Sequence, residues 1–200
     1  VEQSNGELSF GAGYSTAEGV IGDVSISERN LLGNGQFLRL RLSGSMERLQ
    51  ADLSFTEPRF LDQNLSAGFD IFHKDVDQTD SSSFKYRKTG ISPRLGFPIS
   101  ESLWAQVSYL YSHDSIYNVD LARASRAITE AQGDADTSSL GLSLTYDARN
   151  HPKTPTRGYY LQVGSDFAGL GGDVQYIRVS GEARYYYPVT EKITLVGRLT

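Results

Sequence analysis

YIRVSGEARYYYPVT, residues 176–190, alternates almost without fault. Ile177, Val179, Gly181, Ala183, Tyr185 and Tyr187 take the odd positions, and Arg178, Ser180, Glu182 and Arg184 the even ones. Successive side chains of a β-strand point to opposite faces, so this run builds one apolar face and one charged face. Its length matters as much as its period. Strands of soluble sandwiches average about five or six residues, whereas a tilted strand that crosses a bilayer needs about 9–11.

The same pattern spreads outward along the chain. Downstream, Ile193, Leu195, Gly197 and Leu199 alternate with Thr194, Val196 and Arg198. Upstream lie Tyr159, Leu161 and Val163, then Leu140, Leu142, Leu144 and Tyr146, then Leu103, Ala105, Val107, Tyr109 and Tyr111. Further rows are Ile91–Phe97, Leu65–Ile71, Leu49–Phe55, Leu38–Leu42 and Val20–Ile26, each taken every second residue. The first is NGELSFGAGYS, with Leu8, Phe10, Ala12 and Tyr14 facing one way and Ser9, Gly11 and Gly13 the other. The pattern predicts about eleven strands joined as hairpins.

Charge within the strands falls nearly always on the polar parity. On a lipid-facing position a charge costs about 2–4 kcal/mol at mid-membrane, but a soluble sandwich segregates charge from core as well. Aromatic placement separates the two. Phe55, Phe97, Tyr146, Tyr159, Tyr185 and Tyr187 cluster at one set of strand ends, and Tyr14, Tyr109, Tyr111, Phe167 and Tyr176 at the other. Two belts of rings suit the two interfaces of a bilayer. Connections alternate too. Proline-bearing or fixed turns such as RNLLGNGQ, TEPRFLDQN, FPISES, ARNHPKTPTRG and PVTEK lie on one side. The other side ranges from STAEG to a polar segment over 113–136, in which Leu121, Ala124, Ile128 and Ala131 suggest a short amphipathic helix. The expected fold is all-β: an antiparallel up-and-down transmembrane β-barrel. Bacterial single-chain barrels have even strand numbers, so eleven strands ending inside KITLVGRLT are expected to be part of a larger barrel.

Composition narrows the chemistry. A mean hydropathy of -0.37 accords with a barrel, whose apolar face occupies every second residue. The formal net charge of -5 argues against a nucleic-acid surface. The absence of cysteine removes disulfides, thiol catalysis and cysteine-based metal sites. The three histidines, His73, His113 and His151, are scattered. His73 near Asp70 and Asp75 lacks a nucleophile to activate, so no enzyme, cofactor or metal site is expected. YDARNHPKTPTRG reads as a structural turn. Pro152 and Pro155 fix backbone angles, Gly158 permits a turn, and Asp147 pairs with Arg149 or Arg157. GNGQ and GLGGD read as hairpin connections.

Four segments, VSISERNLLGNGQ, LSFTEPRFLD, YDARNHPKTPTRGYY and GGDVQYIRVSGEARYYYPV, in that order and spacing, resemble the barrel of the BamA family of outer-membrane protein assembly factors, within the Omp85-type barrel superfamily. The resemblance implies a sixteen-stranded barrel, of which residues 1–200 would be a partial domain of about ten to eleven strands. It also implies periplasmic POTRA domains upstream and closing strands downstream. The implied function is folding and insertion of client β-barrel proteins through a lateral seam, without nucleotide hydrolysis, in the outer membrane of a Gram-negative bacterium. Implied partners are nascent outer-membrane β-barrel proteins, accessory assembly lipoproteins and outer-membrane lipid. The seam of the family lies between first and last strands, which by position assigns Glu7, Leu8, Ser9, Phe10, Gly11, Ala12, Gly13 and Tyr14 to client pairing. Glycines weaken cross-strand contact, which suits a strand that exchanges partners; they equally suit lumen clearance or a bend. A related translocation and assembly module, a two-partner secretion transporter or a passive porin-like barrel are the alternatives.

Overall fold

A computed structural model describes residues 6–16, 18–190 and 193–200. The expected connections STAEG and PVTEK include Ala17, Glu191 and Lys192, which lie outside the described residues. Eleven strands form one antiparallel sheet in strict sequence order. They are β1 (Glu7–Ser15), β2 (Gly19–Leu31), β3 (Gln36–Gly44), β4 (Arg48–Glu57), β5 (Ser66–Asp77), β6 (Lys85–Pro98), β7 (Leu103–Tyr117), β8 (Gly133–Asp147), β9 (Gly158–Ala168), β10 (Tyr176–Thr190) and β11 (Ile193–Leu199). Two short helices, α1 (Thr79–Ser82) and α2 (Arg126–Glu130), sit in connections. The order begins at β1 and ends at β11, so these are the two edges of the sheet.

The register aligns the alternating rows across neighbouring strands. Leu8 faces Ile26, Leu40 faces Leu53, Leu53 faces Ile71, and Ile71 faces Ile91. Leu142 faces Val107, and Ala183 faces Leu161. One face of the sheet is therefore apolar from strand to strand. Yet it covers no core: among the described residues the buried hydrophobics are Ala105, Ala168 and Tyr186, while Leu42, Leu142, Val163 and Val179 lie exposed with dozens of apolar neighbours. A soluble domain is stabilised by burying such side chains. A sheet that presents them outward is built for an apolar surrounding.

The polar face is crossed by ion pairs and hydrogen bonds. The Arg94 guanidinium crosses β5 to pair with Asp70 and to donate to Thr56 Oγ1 at 2.7 Å and the Phe55 carbonyl at 3.2 Å. It reaches that far because Gly68 lies beneath it: a Cβ there would stand 2.5 Å from the Phe55 oxygen. Arg41–Asp23, Lys88–Asp114 and Glu182 with Arg184 and Arg198 line the same face.

Polarity reverses at one end of the central strands. Beyond Ile71, Ile91 and Tyr111, the apolar row gives way to His73, Asp75 and Asp77, to Thr89, Arg87 and Lys85, and to His113 and Ser115. These groups are knitted across strands by Arg87–Asp75 and Lys85–Asp77 at 2.7 Å, by His73 Nδ1 to Thr89 Oγ1 at 2.7 Å, and by His113 Nδ1 to Asp136 at 2.8 Å. The opposite parity there carries Phe72, Val76, Tyr86, Leu110 and Ile116. Because of this extension, the polar segment read over 113–136 is strand at both of its ends. β7 continues to Tyr117 and β8 begins at Gly133, which leaves a connection of 118–132. The expected helix shrinks to α2, capped by Ser125; Leu121 lies outside it and is exposed. Alternating polar residues with few apolar markers concealed the strands.

Candidate functional site: the free edge of β1

β1 pairs with β2 along its whole length, Glu7 opposite Ser27 through Ser15 opposite Gly19. Among the described residues no strand lies beside its other edge in the sheet order, and a strand edge of this kind presents backbone amides and carbonyls that can pair with another strand. On its apolar face Leu8, Phe10 and Tyr14 are exposed, Phe10 to 73% and Tyr14 to 77%. On its polar face stand Glu7, Ser9, Gly11, Gly13 and Ser15, with a weak Ser9 hydroxyl to Glu7 hydrogen bond at 3.3 Å.

The glycines of β1 are uncrowded, like Gly22 of β2 and Gly181 of β10, and differ from the tightly packed Gly68, Gly90, Gly96 and Gly141. A Cβ on Gly13 would meet nothing within 4 Å, and one on Gly11 would make ordinary contact with Asp23 Cβ at 3.5 Å. Within the described sheet, clearance does not require either glycine. At Gly90, by contrast, a Cβ would stand 2.5 Å from the Phe72 ring and 2.7 Å from the Tyr111 carbonyl. Packing explains Gly90; at β1 only Gly11 would gain a contact with β2, through Asp23.

The expected aromatic residues fall at two levels of the apolar face, with one exception. Near the turns 58–65, 99–102 and 148–157 lie Phe55, Phe97, Tyr146, Tyr159, Tyr185 and Tyr187. Phe55 and Phe69 approach with centroids 5.6 Å apart, and Tyr146 stacks on Tyr159 at 5.5 Å. At the other level Tyr109 faces Leu140, which faces Phe167, and Tyr111 lies one step beyond. Tyr14 stands opposite Val20. Tyr176 is the exception. It pairs with Ala168 and shares its face with Arg178, whose guanidinium lies 5.2 Å from the ring centroid. It belongs to the polar face because the strand parity places Ile177, not Tyr176, in the apolar row.

The 148–157 turn is built around its polar side chains. Arg149 grips Asp147 through two nitrogens at 2.9 and 2.7 Å and lies 4.9 Å from the centroid of Tyr160. Those hydrogen bonds hold the Arg149 guanidinium above its ordinary pKa. Asp147 therefore takes Arg149 as its partner, one of the two arginines the sequence offered. Asn150 Oδ1 accepts from the amides of Thr156 and Arg157, which closes the loop that contains Pro152 and Pro155. Gly158, at φ 109°, sits against the Ala148 carbonyl where a side chain has no room. His151 Nδ1 accepts from the amides of Lys153 and Thr154, which makes it a turn former. No cluster of three or more His, Asp or Glu suited to a metal ion occurs among the described residues.

The chain and its fold are similar to known proteins. An Omp85 superfamily domain profile matches residues 30–200, which takes in the end of β2 and every later strand. The outer membrane protein assembly factor BamA of Neorickettsia risticii is 25% identical over 196 residues, covering 98% of this chain and 26% of that protein. BamA of Nitratidesulfovibrio vulgaris is 30% identical over 201 residues, covering 98% and 25%. The sorting and assembly machinery component 50 homolog of Homo sapiens is 30% identical over 154 residues, covering 74% and 31%. The crystal structure of Haemophilus ducreyi BamA lacking POTRA domains 1–3 superposes with a TM-score of 0.73 at 25% identity, covering 96% of this chain and 39% of that one. The chain thus spans about a quarter of the length of the bacterial relatives it matches. With eleven sequential antiparallel strands, an apolar face that covers no core, and a profile match over most of its length, the chain belongs to the Omp85 superfamily.

Proposed function

We propose that this sheet is the first part of the barrel of an outer-membrane protein assembly factor in a Gram-negative bacterium, and that it folds and inserts client β-barrel proteins through a seam at β1. The full barrel then has sixteen strands, with POTRA domains upstream and closing strands downstream. Nascent barrel proteins, accessory assembly lipoproteins and outer-membrane lipid are its partners. The chemistry is non-covalent: no nucleotide, metal or nucleophile takes part.

The physical problem is backbone desolvation. A client strand entering lipid alone leaves unpaired amides and carbonyls, each costing several kcal/mol. An exposed strand edge offers those groups partners by β-augmentation. The observation that supports the reading is that β1 carries Gly11 and Gly13 although neither is needed for clearance within the described sheet. Each missing cross-strand pair forgoes about 0.2–1 kcal/mol. β1 consequently keeps its backbone hydrogen-bonding capacity while holding β2 with less side-chain contact.

Full-length protein reconstituted into vesicles of outer-membrane phospholipid should accelerate the folding of a urea-denatured client barrel. Vesicles that gain ion conductance but fold the client no faster than empty ones would establish a porin-like barrel instead.

A further inference from the structure

Two adjoining cavities open beside the turns 32–35 and 58–65, at the end of the apolar face. One, of about 320 Å³, is lined by Phe55, Phe60, Ala67 and Phe69. The other, of about 430 Å³, is lined by Asn34, Arg59, Leu61 and Asp62. They share Gln36, Glu57 and Phe60, so an aromatic pocket on the membrane-facing side continues directly into a polar one.

The wall between them is organised by Glu57. Its carboxylate accepts from Gln36 Nε2 at 2.6 Å and from the Arg59 amide at 3.0 Å. Phe60 donates its amide to the Leu65 carbonyl at 2.7 Å, and Leu61 and Asp62 both hold positive φ, 56° and 59°. This conformation leaves Phe60 39% and Leu61 72% exposed, next to the Phe55–Phe69 ring pair. Arg59 and Asp62 both line the polar cavity, and neither side chain makes an ion pair among the described residues.

We infer that this double cavity binds one zwitterionic phospholipid of the inner leaflet. An acyl chain lies over Phe55, Phe60 and Phe69, the phosphate meets Arg59, and the head-group ammonium meets Glu57 and Asp62. The charges argue for this occupant. A cation and two carboxylates within one pocket match a molecule carrying both signs, and the aromatic pocket matches its apolar tail. A purely anionic lipid would leave its head group facing Glu57 and Asp62. Only the choice of leaflet rests on the proposed orientation, in which the turn end faces the periplasm.

The test uses full-length protein in vesicles of phosphatidylethanolamine and phosphatidylglycerol. A small fraction of one lipid or the other carries a photoreactive group in its acyl chain, and labelled peptides are mapped by mass spectrometry. The ethanolamine probe should label segment 55–69 well above the Leu140–Leu144 wall, and the glycerol probe should not. Asp62→Asn tolerates the left-handed backbone, and combined with Arg59→Gln it removes two charged contacts and should reduce that labelling by at least about tenfold, the loss expected for even one of them. Phe60→Ser should reduce labelling by both probes at this segment. Uniform labelling of the whole apolar face, equal labelling by the two probes, or labelling unchanged in the double variant would each overturn the inference. No client is present, so the result is independent of whether the protein assembles barrels.

Discussion

Leu142→Arg and Ser143→Arg place the same charge on adjacent residues of β8 and on opposite faces. Leu142 is 54% exposed, faces Val107, and lies midway between the Tyr146 level and the level where Ser138 faces Tyr111. Those two levels are eight residues apart, or about 27 Å along the strand, close to the height of a barrel's apolar band once tilt is allowed for. An arginine at position 142 therefore sits near the bilayer midplane and should cost about 2–4 kcal/mol, a thirty- to thousand-fold change in the folding constant. Ser143 is on the polar face, opposite Gln106 and Gly164 and 3.5 Å from Gln162 Nε2, so its arginine should cost less than about 0.5 kcal/mol. Both variants of the full-length protein can be titrated with urea in phospholipid vesicles and followed by heat-modifiable electrophoretic mobility. Equal destabilisation by the two, or a negligible effect of Leu142→Arg, would refute the assignment of the apolar face to lipid.

Other substitutions probe separate parts of the account. Gly90→Ala should destabilise by about 1–3 kcal/mol through collision with Phe72 and the Tyr111 carbonyl, whereas Gly13→Ala should be neutral or slightly stabilising by urea titration. Gly11→Val with Gly13→Val should hold β1 more firmly to β2 and slow client folding in vesicles while stability rises or stays level. Arg149→Ala leaves Asp147 without its partner and Tyr160 without one of its two stacked cations, and should cost about 1–3 kcal/mol in the same titration. Its rescue by Arg149→Lys should be incomplete, since lysine cannot reproduce the two-nitrogen grip.

The sheet was legible because its physics is local: a period of two, repeated over long strands, fixes which residues share a face. The eleven strands and most of the ring positions follow from that rule alone. What escaped it depended on neighbours brought together only by register. Tyr176 is a misreading of another kind: it lies at a strand end with the other rings, but the apolar row of odd residues from Ile177 already gives it the polar parity that its pairing with Ala168 displays. The strand extensions around His73, Arg87 and His113 have inverted polarity, because the surroundings change along the strand while the backbone does not. Arg94 offers no sign in the sequence that it reaches two strands away, since that reach depends on the gap above Gly68. At β1 the sequence left clearance and weak pairing equally open, because the space around Gly13 is set by neighbours that no local pattern encodes.

The central claim is that a client strand pairs with β1. Single cysteines at Ser9 or Gly11 of an otherwise cysteine-free full-length protein, combined with single cysteines along the terminal strand of a stalled client, test it most directly. Disulfides should form at Ser9 and Gly11 and shift in step with the client position, with none above background from Ser180 in the interior of β10. Equal crosslinking from Ser180, or none from β1, would contradict it.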